Sequence, residues 1–303
     1  MDKNTIIGVS LIAVVLIGFT FLNRPTPEEA TPKEPIEATS PAPAETTSSS
    51  AVLPTSTDSL APETSPLLGL SGGQEQIIKL ENEKLVVSFS NHGGAAVQAR
   101  LKEYKAQKEQ PLDLFTPEDC SFNLPLRTKM GQVIDTKDLY FEPIAQSDSS
   151  LTMRLRVDSA AYLDFAYTLV PNDYRLRLSI SGAHLDRLFP SNMRYQDLEI
   201  AQKIRRQELS WQNENQYSAI YYKLFADKVE RLSEKGSKSE KVNERISWIA
   251  FKDKFFSSVW IADAANAFES SSLEQTVMPK DGEYTKEGDT ADFAKDPDGK
   301  ITP

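Results

Sequence analysis

Around Val157 and Ile180 the chain alternates by twos. Leu151, Met153, Leu155 and Val157 are separated by Thr152, Arg154 and Arg156, and later Tyr174, Leu176, Leu178 and Ile180 are separated by Arg175, Arg177 and Ser179. A period of two sends one set of side chains to a core and the other to water, as a half-buried strand does and a helix cannot. The apolar run 162–170 lies between them, followed by the turn residues Pro171, Asn172 and Asp173. The segment therefore predicts a meander of three antiparallel strands. Further strand-like runs cover 85–89, 96–101, 218–224, 246–251, 255–261 and 267–271, and Asn91, His92, Gly93 and Gly94 form a turn signal between the first two. Short helical turns are expected only at 118–120 and 186–189. Strands so spaced over the body predict a mainly β fold, a large β-sandwich.

The other end of the chain obeys different rules. Residues 5–22 read TIIGVSLIAVVLIGFTFL, without a charge. At 1.5 Å per residue they reach about 27 Å, close to the thickness of a bilayer's hydrocarbon core. A cleaved signal peptide would have a shorter run and a small-x-small site. Here the run closes on Phe19, Phe21, Leu22, Asn23 and Arg24, and no Cys follows to take a lipid. Residues 1–24 are thus expected to be an uncleaved transmembrane anchor, in contact with the bilayer through 5–22. Lys3 on one side nearly balances Arg24 and Lys33 on the other, so orientation rests on the short N-terminal tail, which places residue 25 onward outside the cytoplasm. Residues 25–73 hold half of the 18 prolines and no aromatic residue. Such a Pro/Ser/Thr/Glu-rich stretch cannot bury enough apolar surface to offset its ordering entropy, so 25–75 is expected to be a disordered linker. The β-domain then spans 76–303.

Composition excludes several functions. A net charge of -10 argues against nucleic-acid binding. A lone cysteine, Cys120, excludes an internal disulfide and any Cys-cluster metal site, and His92 and His184 are too few for a His-based site. Glu118 and Asp119 raise rather than lower a neighbouring thiol's pKa, so Cys120 reads as structural. No G-x-S-x-G elbow, P-loop or H-E-x-x-H is present. No catalytic, cofactor-binding or metal-ligating residue is assigned. Large sandwiches include sugar-active enzymes that use paired carboxylates. Glu199 and Glu208, near Trp211, are the pair to test for that alternative, a membrane-anchored carbohydrate-binding or carbohydrate-active sandwich of the cell envelope. Aromatics crowd 211–225 and 248–260; they read as sandwich core, with a stacking platform for sugars or peptides as the other option. Residues 223–254 carry nine basic and six acidic side chains. They read as a solvated hairpin, or as a contact for anionic lipid or an acidic partner.

The order of these features is familiar. The start MDKNTIIGVSLIAVVLIGFTFLN resembles the first membrane helix of YidC-type membrane protein insertases. LENEKLVVSFSNHGGAAVQARLKEYK, DFAYTLVPNDYRLRLSIS and NERISWIAFKDKFFSSVWIA, the last with Trp248, Lys252, Lys254, Phe255 and Phe256, resemble three stretches of that family's periplasmic domain. The resemblance implies a β-supersandwich similar to sugar-mutarotase-like domains. It implies a non-enzymatic chaperone of the bacterial inner membrane, which inserts nascent membrane proteins alone or with Sec translocon subunits. The family's insertion activity lies in five later membrane helices. No apolar run of that length follows Ile261, so the chain resembles the insertase's N-terminal part, with a β-domain expected to be cut at its C-terminal end.

Overall fold

The structure is a computed structural model that describes residues 66–294 apart from 188, 194, 235, 264–266 and 281. The apolar run 5–22, the linker up to residue 65 and residues 295–303 lie outside the described residues.

The described chain is built almost wholly of antiparallel strands. The first four are β1 (Ile77–Glu81), β2 (Leu85–Ser90), β3 (Ala95–Lys105) and β4 (Pro111–Phe115), paired in sequence order as one sheet. Next come β5 (Cys120–Asn123) and a small hairpin of β6 (Pro125–Arg127) and β7 (Val133–Asp135). A second sheet joins β8 (Glu142–Gln146), β9 (Ser150–Arg156), β10 (Tyr162–Leu169) and β11 (Leu176–Ala183). It contains the meander that the alternation predicts. Leu151, Met153 and Leu155 face the core, and Arg154 lies opposite Asp164 with two 2.7 Å hydrogen bonds between them.

The chain then runs along β12 (Tyr195–Arg205), through a short helix α1 (Trp211–Asn215), and into β13 (Ala219–Leu224), β14 (Val229–Arg231), β15 (Lys238–Val242), β16 (Ile246–Lys252) and β17 (Ser257–Ile261). It closes with β18 (Ser271–Val277) and β19 (Tyr284–Ala294). Strands β14-β13-β16-β17 form a third sheet; β15-β18-β19-β12-β5 form a fourth. The core lies where these sheets meet. Phe122 of β5 stacks on Trp260 of β17 at 5.5 Å and meets Phe165 of β10 edge-on at 5.8 Å, while Phe89 of β2 packs on Tyr167 of β10 at 4.6 Å. One continuous apolar core of packed sheets makes the body a β-sandwich.

The Gly-Gly turn between β2 and β3 fastens two of these layers. Gly93 and Gly94 have φ of 82° and 65°, a left-handed backbone that favours glycine. A Cβ on Gly94 would stand 2.8 Å from the Phe141 ring, and the Gly94 carbonyl accepts the Tyr167 hydroxyl at 2.8 Å.

Several expectations need correction. No strand covers 267–271: Phe268 makes an isolated bridge to Ile246, and the strand starts at Ser271. Within the aromatic-rich stretch 211–225, where no helix is expected, Trp211–Asn215 form α1, capped where the Ser210 side chain accepts from the Asn213 amide. The described body begins with a 3-10 turn, Pro66–Ser71, within the stretch expected to be linker, and Leu67 is wholly buried.

Candidate functional site

The residues singled out from sequence do not converge. Glu199 lies on the exposed side of β12 and accepts from Asn123 Nδ2 at 2.7 Å. Glu208 lies three residues beyond the end of that strand, whose stretch from Glu199 to Arg205 alone spans about 20 Å. They are no carboxylate pair. His92 stacks on Tyr140 at 4.6 Å beside the Gly-Gly turn, and His184 directly follows β11 at a φ of 51°. Cys120 Sγ sits 3.6 Å from the carbonyls of both Val97 and Thr116; burial, reinforced by Asp119, pushes its thiol up to about 12. Its place is structural.

A different carboxylate pair is buried. Glu214 of α1 is fully buried, and so, nearly, is Asp253 after β16. The Gln207 amide donates to Glu214 Oε1 at 2.6 Å, and the Glu208 amide reaches both oxygens. Ser218 Oγ lies 3.0 Å from Asp253 Oδ1, while buried Asp253 Oδ2 has no hydrogen-bond partner among the described residues. Burial first, and the neighbouring Asp253 second, push Glu214 up to about 8; burial also raises Asp253. One proton on Glu214 answers both the repulsion and the orphaned oxygen. Below the pair, fully buried Lys286 of β19 donates to the backbone carbonyl and, at 3.1 Å, to Oδ1 of Asn215, at the C-terminal end of α1. The cluster pins α1 to two sheets, as does Trp211, whose Nε1 donates to the Tyr284 carbonyl. Closed to substrate, it is a structural keystone. The sequence signal for it was weak: Asp253 lies in the Lys-Asp-Lys step after Phe251, and Glu214 in a polar stretch.

The open site is a cleft of about 420 Å³ between β14 and β15. Each of these is an edge strand, paired on one side only. Leu224 and Val242 give the cleft an apolar floor, and Tyr222 bridges it by donating to Glu240 at 2.9 Å. The rim carries both signs, with Lys228 paired to Glu230 and Lys238 to Glu240 at 2.8 Å. Among the cleft's lining residues there is no His, Cys or Ser to act as a nucleophile. Two free strand edges above an apolar floor suit an extended polypeptide, which such an edge holds through main-chain hydrogen bonds.

A family model described as the YidC periplasmic domain matches residues 77–298. The chain belongs to this family. It is 43% identical over 298 residues to the membrane protein insertase YidC of Porphyromonas gingivalis, covering 94% of this chain and 47% of that protein. It is 35% identical to YidC of Parabacteroides distasonis (99% and 50%) and 34% identical to YidC of Bacteroides fragilis (95% and 47%). The chain thus spans about half the length of these curated YidC relatives. Among solved structures, a galactose mutarotase related enzyme from Lactobacillus acidophilus aligns at 10% identity and a TM-score of 0.41, covering 75% of this chain and 92% of that one. A putative aldose 1-epimerase from Escherichia coli K12 aligns at the same identity and TM-score, covering 76% and 94%. The carbohydrate-active alternative is not favoured: the YidC relatives are named insertases, and Glu199 and Glu208 stand apart on the chain.

Proposed function

We propose that this chain is the N-terminal part of a membrane protein insertase: residues 1–24 an anchor in the bacterial inner membrane, 25–65 a tether, and 66–303 a periplasmic contact domain that includes the 3-10 turn Pro66–Ser71. The observation that carries the reading is the match of 77–298 to a domain described as the periplasmic domain of YidC. Relatives named insertases, twice as long, supply the context. The domain works by contact and not by catalysis. Its partners are nascent membrane proteins and subunits of the Sec translocon, and the cleft between β14 and β15 is the surface for an extended segment of one of them. No cofactor or metal is assigned. The whole protein inserts and folds inner-membrane proteins; the second half of the relatives' length performs the insertion.

The test is functional. Residues 1–303 joined to the remaining half of the Porphyromonas gingivalis relative should restore insertion in cells depleted of their own insertase. A joined protein that reaches the membrane folded and restores nothing would sink the reading.

A further inference from the structure

The outward face of the sheet β14-β13-β16-β17 is unlike the rest of this acidic molecule. Pairing registers align Arg231, Tyr221, Ala250 and Val259 in one row across it, and Val229, Lys223, Trp248 and Ile261 in the next. Lys252, Ala219 and Ser257 make a third. No Asp or Glu occupies any of these outward positions, although the chain holds 44. Acids stand around the face and not on it: Asp227 and Glu234 in the flanking loops pair with Lys223 and Arg231, Glu269 pairs with Arg245, and exposed Asp263 follows Ile261 by two residues. Three of the apolar members are exposed, Ile261 by 66%, Val229 by 52% and Val259 by 46%, while Ala219 and Ala250 are buried between their longer neighbours.

The border of the face repeats the pattern. Phe255, 63% exposed, lies under the Lys254 ammonium at 4.6 Å. Lys252 approaches the Tyr221 ring at 5.6 Å and donates to the Tyr217 carbonyl at 3.1 Å. Among the described residues Lys252 and Lys254 form no salt bridge, although Lys252 lies in the field of its buried neighbour Asp253. At the far end the Arg245 guanidinium lies 4.6 Å from the Phe225 ring. Exposed aliphatics flanked by aromatic rings, each carrying a cation, match the layered chemistry of a bilayer interface. There the acyl boundary takes apolar groups, the headgroups take aromatics, and the phosphates take lysine and arginine.

We propose that this sheet face rests on the anionic surface of the membrane, with Val259 and Ile261 against the headgroup–acyl boundary and Lys252 and Lys254 at lipid phosphates. Charge complementarity selects lipid as the occupant, since the face is cationic and apolar where the rest of the body is acidic. The proposal is independent of the insertase reading.

The test uses the full 303-residue chain in vesicles of phosphatidylcholine with one quarter phosphatidylglycerol. Val259→Cys, in a Cys120→Ser background, carries a nitroxide; Ser272→Cys, on β18 of another sheet, carries the same label as a control. Accessibility to oxygen and to a water-soluble nickel chelate reads the depth of each label. The oxygen-to-nickel ratio at 259 should exceed that at 272 several-fold. The excess should shrink in pure phosphatidylcholine and in the Lys254→Glu/Phe255→Ser variant, whose fold is checked by circular dichroism. Equal ratios at 259 and 272 in the anionic vesicles would overturn the proposal. So would shielding at 259 that persists without anionic lipid and brings spin–spin coupling between labels, since a second copy would then cover the face.

Discussion

At the scale of single residues, the buried acids set the protein's response to pH. Glu214 titrates near 4.5 when exposed and at about 8 in the fold, chiefly because burial disfavours its charge. The folded state therefore holds a proton that the unfolded chain has already lost. The stability this contributes is complete below the unfolded value and disappears as pH rises through the folded one. Glu214→Gln keeps the shape and the acceptor for the Gln207 amide, and supplies N–H donors towards Asp253. Denaturant unfolding should show wild type losing about 3 kcal/mol relative to this variant between pH 5 and pH 8. Parallel curves would mean that Glu214 is already ionised in the fold. Lys286 acts at higher pH with the opposite sign. Burial lowers it to about 8, so its contribution grows as pH rises from there towards its unfolded value. Gly94 illustrates a steric limit. Gly94→Ala meets both a positive φ and the Phe141 ring, and thermal unfolding should register a loss of about 2 kcal/mol.

Among the elements, β19 departs furthest from ordinary strand composition. It lies between β18 and β12 in the centre of its sheet, yet reads YTKEGDTADFA, with no aliphatic branched side chain. Gly288 explains part of this. A Cβ there would stand 2.7 Å from Ile220 Cδ1 and 2.8 Å from the Phe251 ring, so the neighbouring sheet fills the space that a side chain would take. Gly288→Val should cost about 3 kcal/mol by overpacking, seen as a lower denaturant midpoint with an unchanged slope. Strand β12 carries the same lesson more mildly. Its inward residues include Gln196 and Gln202 beside Leu198, Ile200 and Ile204. Gln196 Nε2 donates to the Pro125 carbonyl at 2.7 Å, and Gln202 Nε2 to Ser258 Oγ at 3.2 Å. Polar inward residues break the apolar alternation by which a strand is found in a sequence, so both strands were missed there. The meander β9–β11 was legible because its inward positions are almost all apolar, and its one buried charge, Asp164, pairs with Arg154 on the adjacent strand.

For the whole molecule, the boundary of the folded body matters most. Leu67 is wholly buried and the Leu70 carbonyl accepts the Tyr140 amide at 2.9 Å, so the 3-10 turn belongs to the same cooperative unit as the sheets. A fragment of residues 66–303 should melt roughly 5–8 °C above one of 76–303, the effect of about 2–3 kcal/mol from one buried leucine and its turn. Equal melting temperatures would place the boundary at β1 instead. The candidate cleft and the cationic sheet face are also properties of this scale. Each is assembled from strands that are separate in sequence and join only through their registers. By itself the sequence determined the Gly-Gly turn and the three-stranded meander, which rest on patterns within about thirty residues, and the mainly β class and the resemblance to the insertase family, which rest on the linear order of such patterns along the chain. Only the tertiary structure decided which polar groups lie inside, that Glu199 and Glu208 stand apart while Glu214 and Asp253 meet, and that β19 is central. The reason is physical: a buried polar side chain is stable only where a partner awaits it, and the partners of Lys286 and Gln202 lie 71 and 56 positions away along the chain.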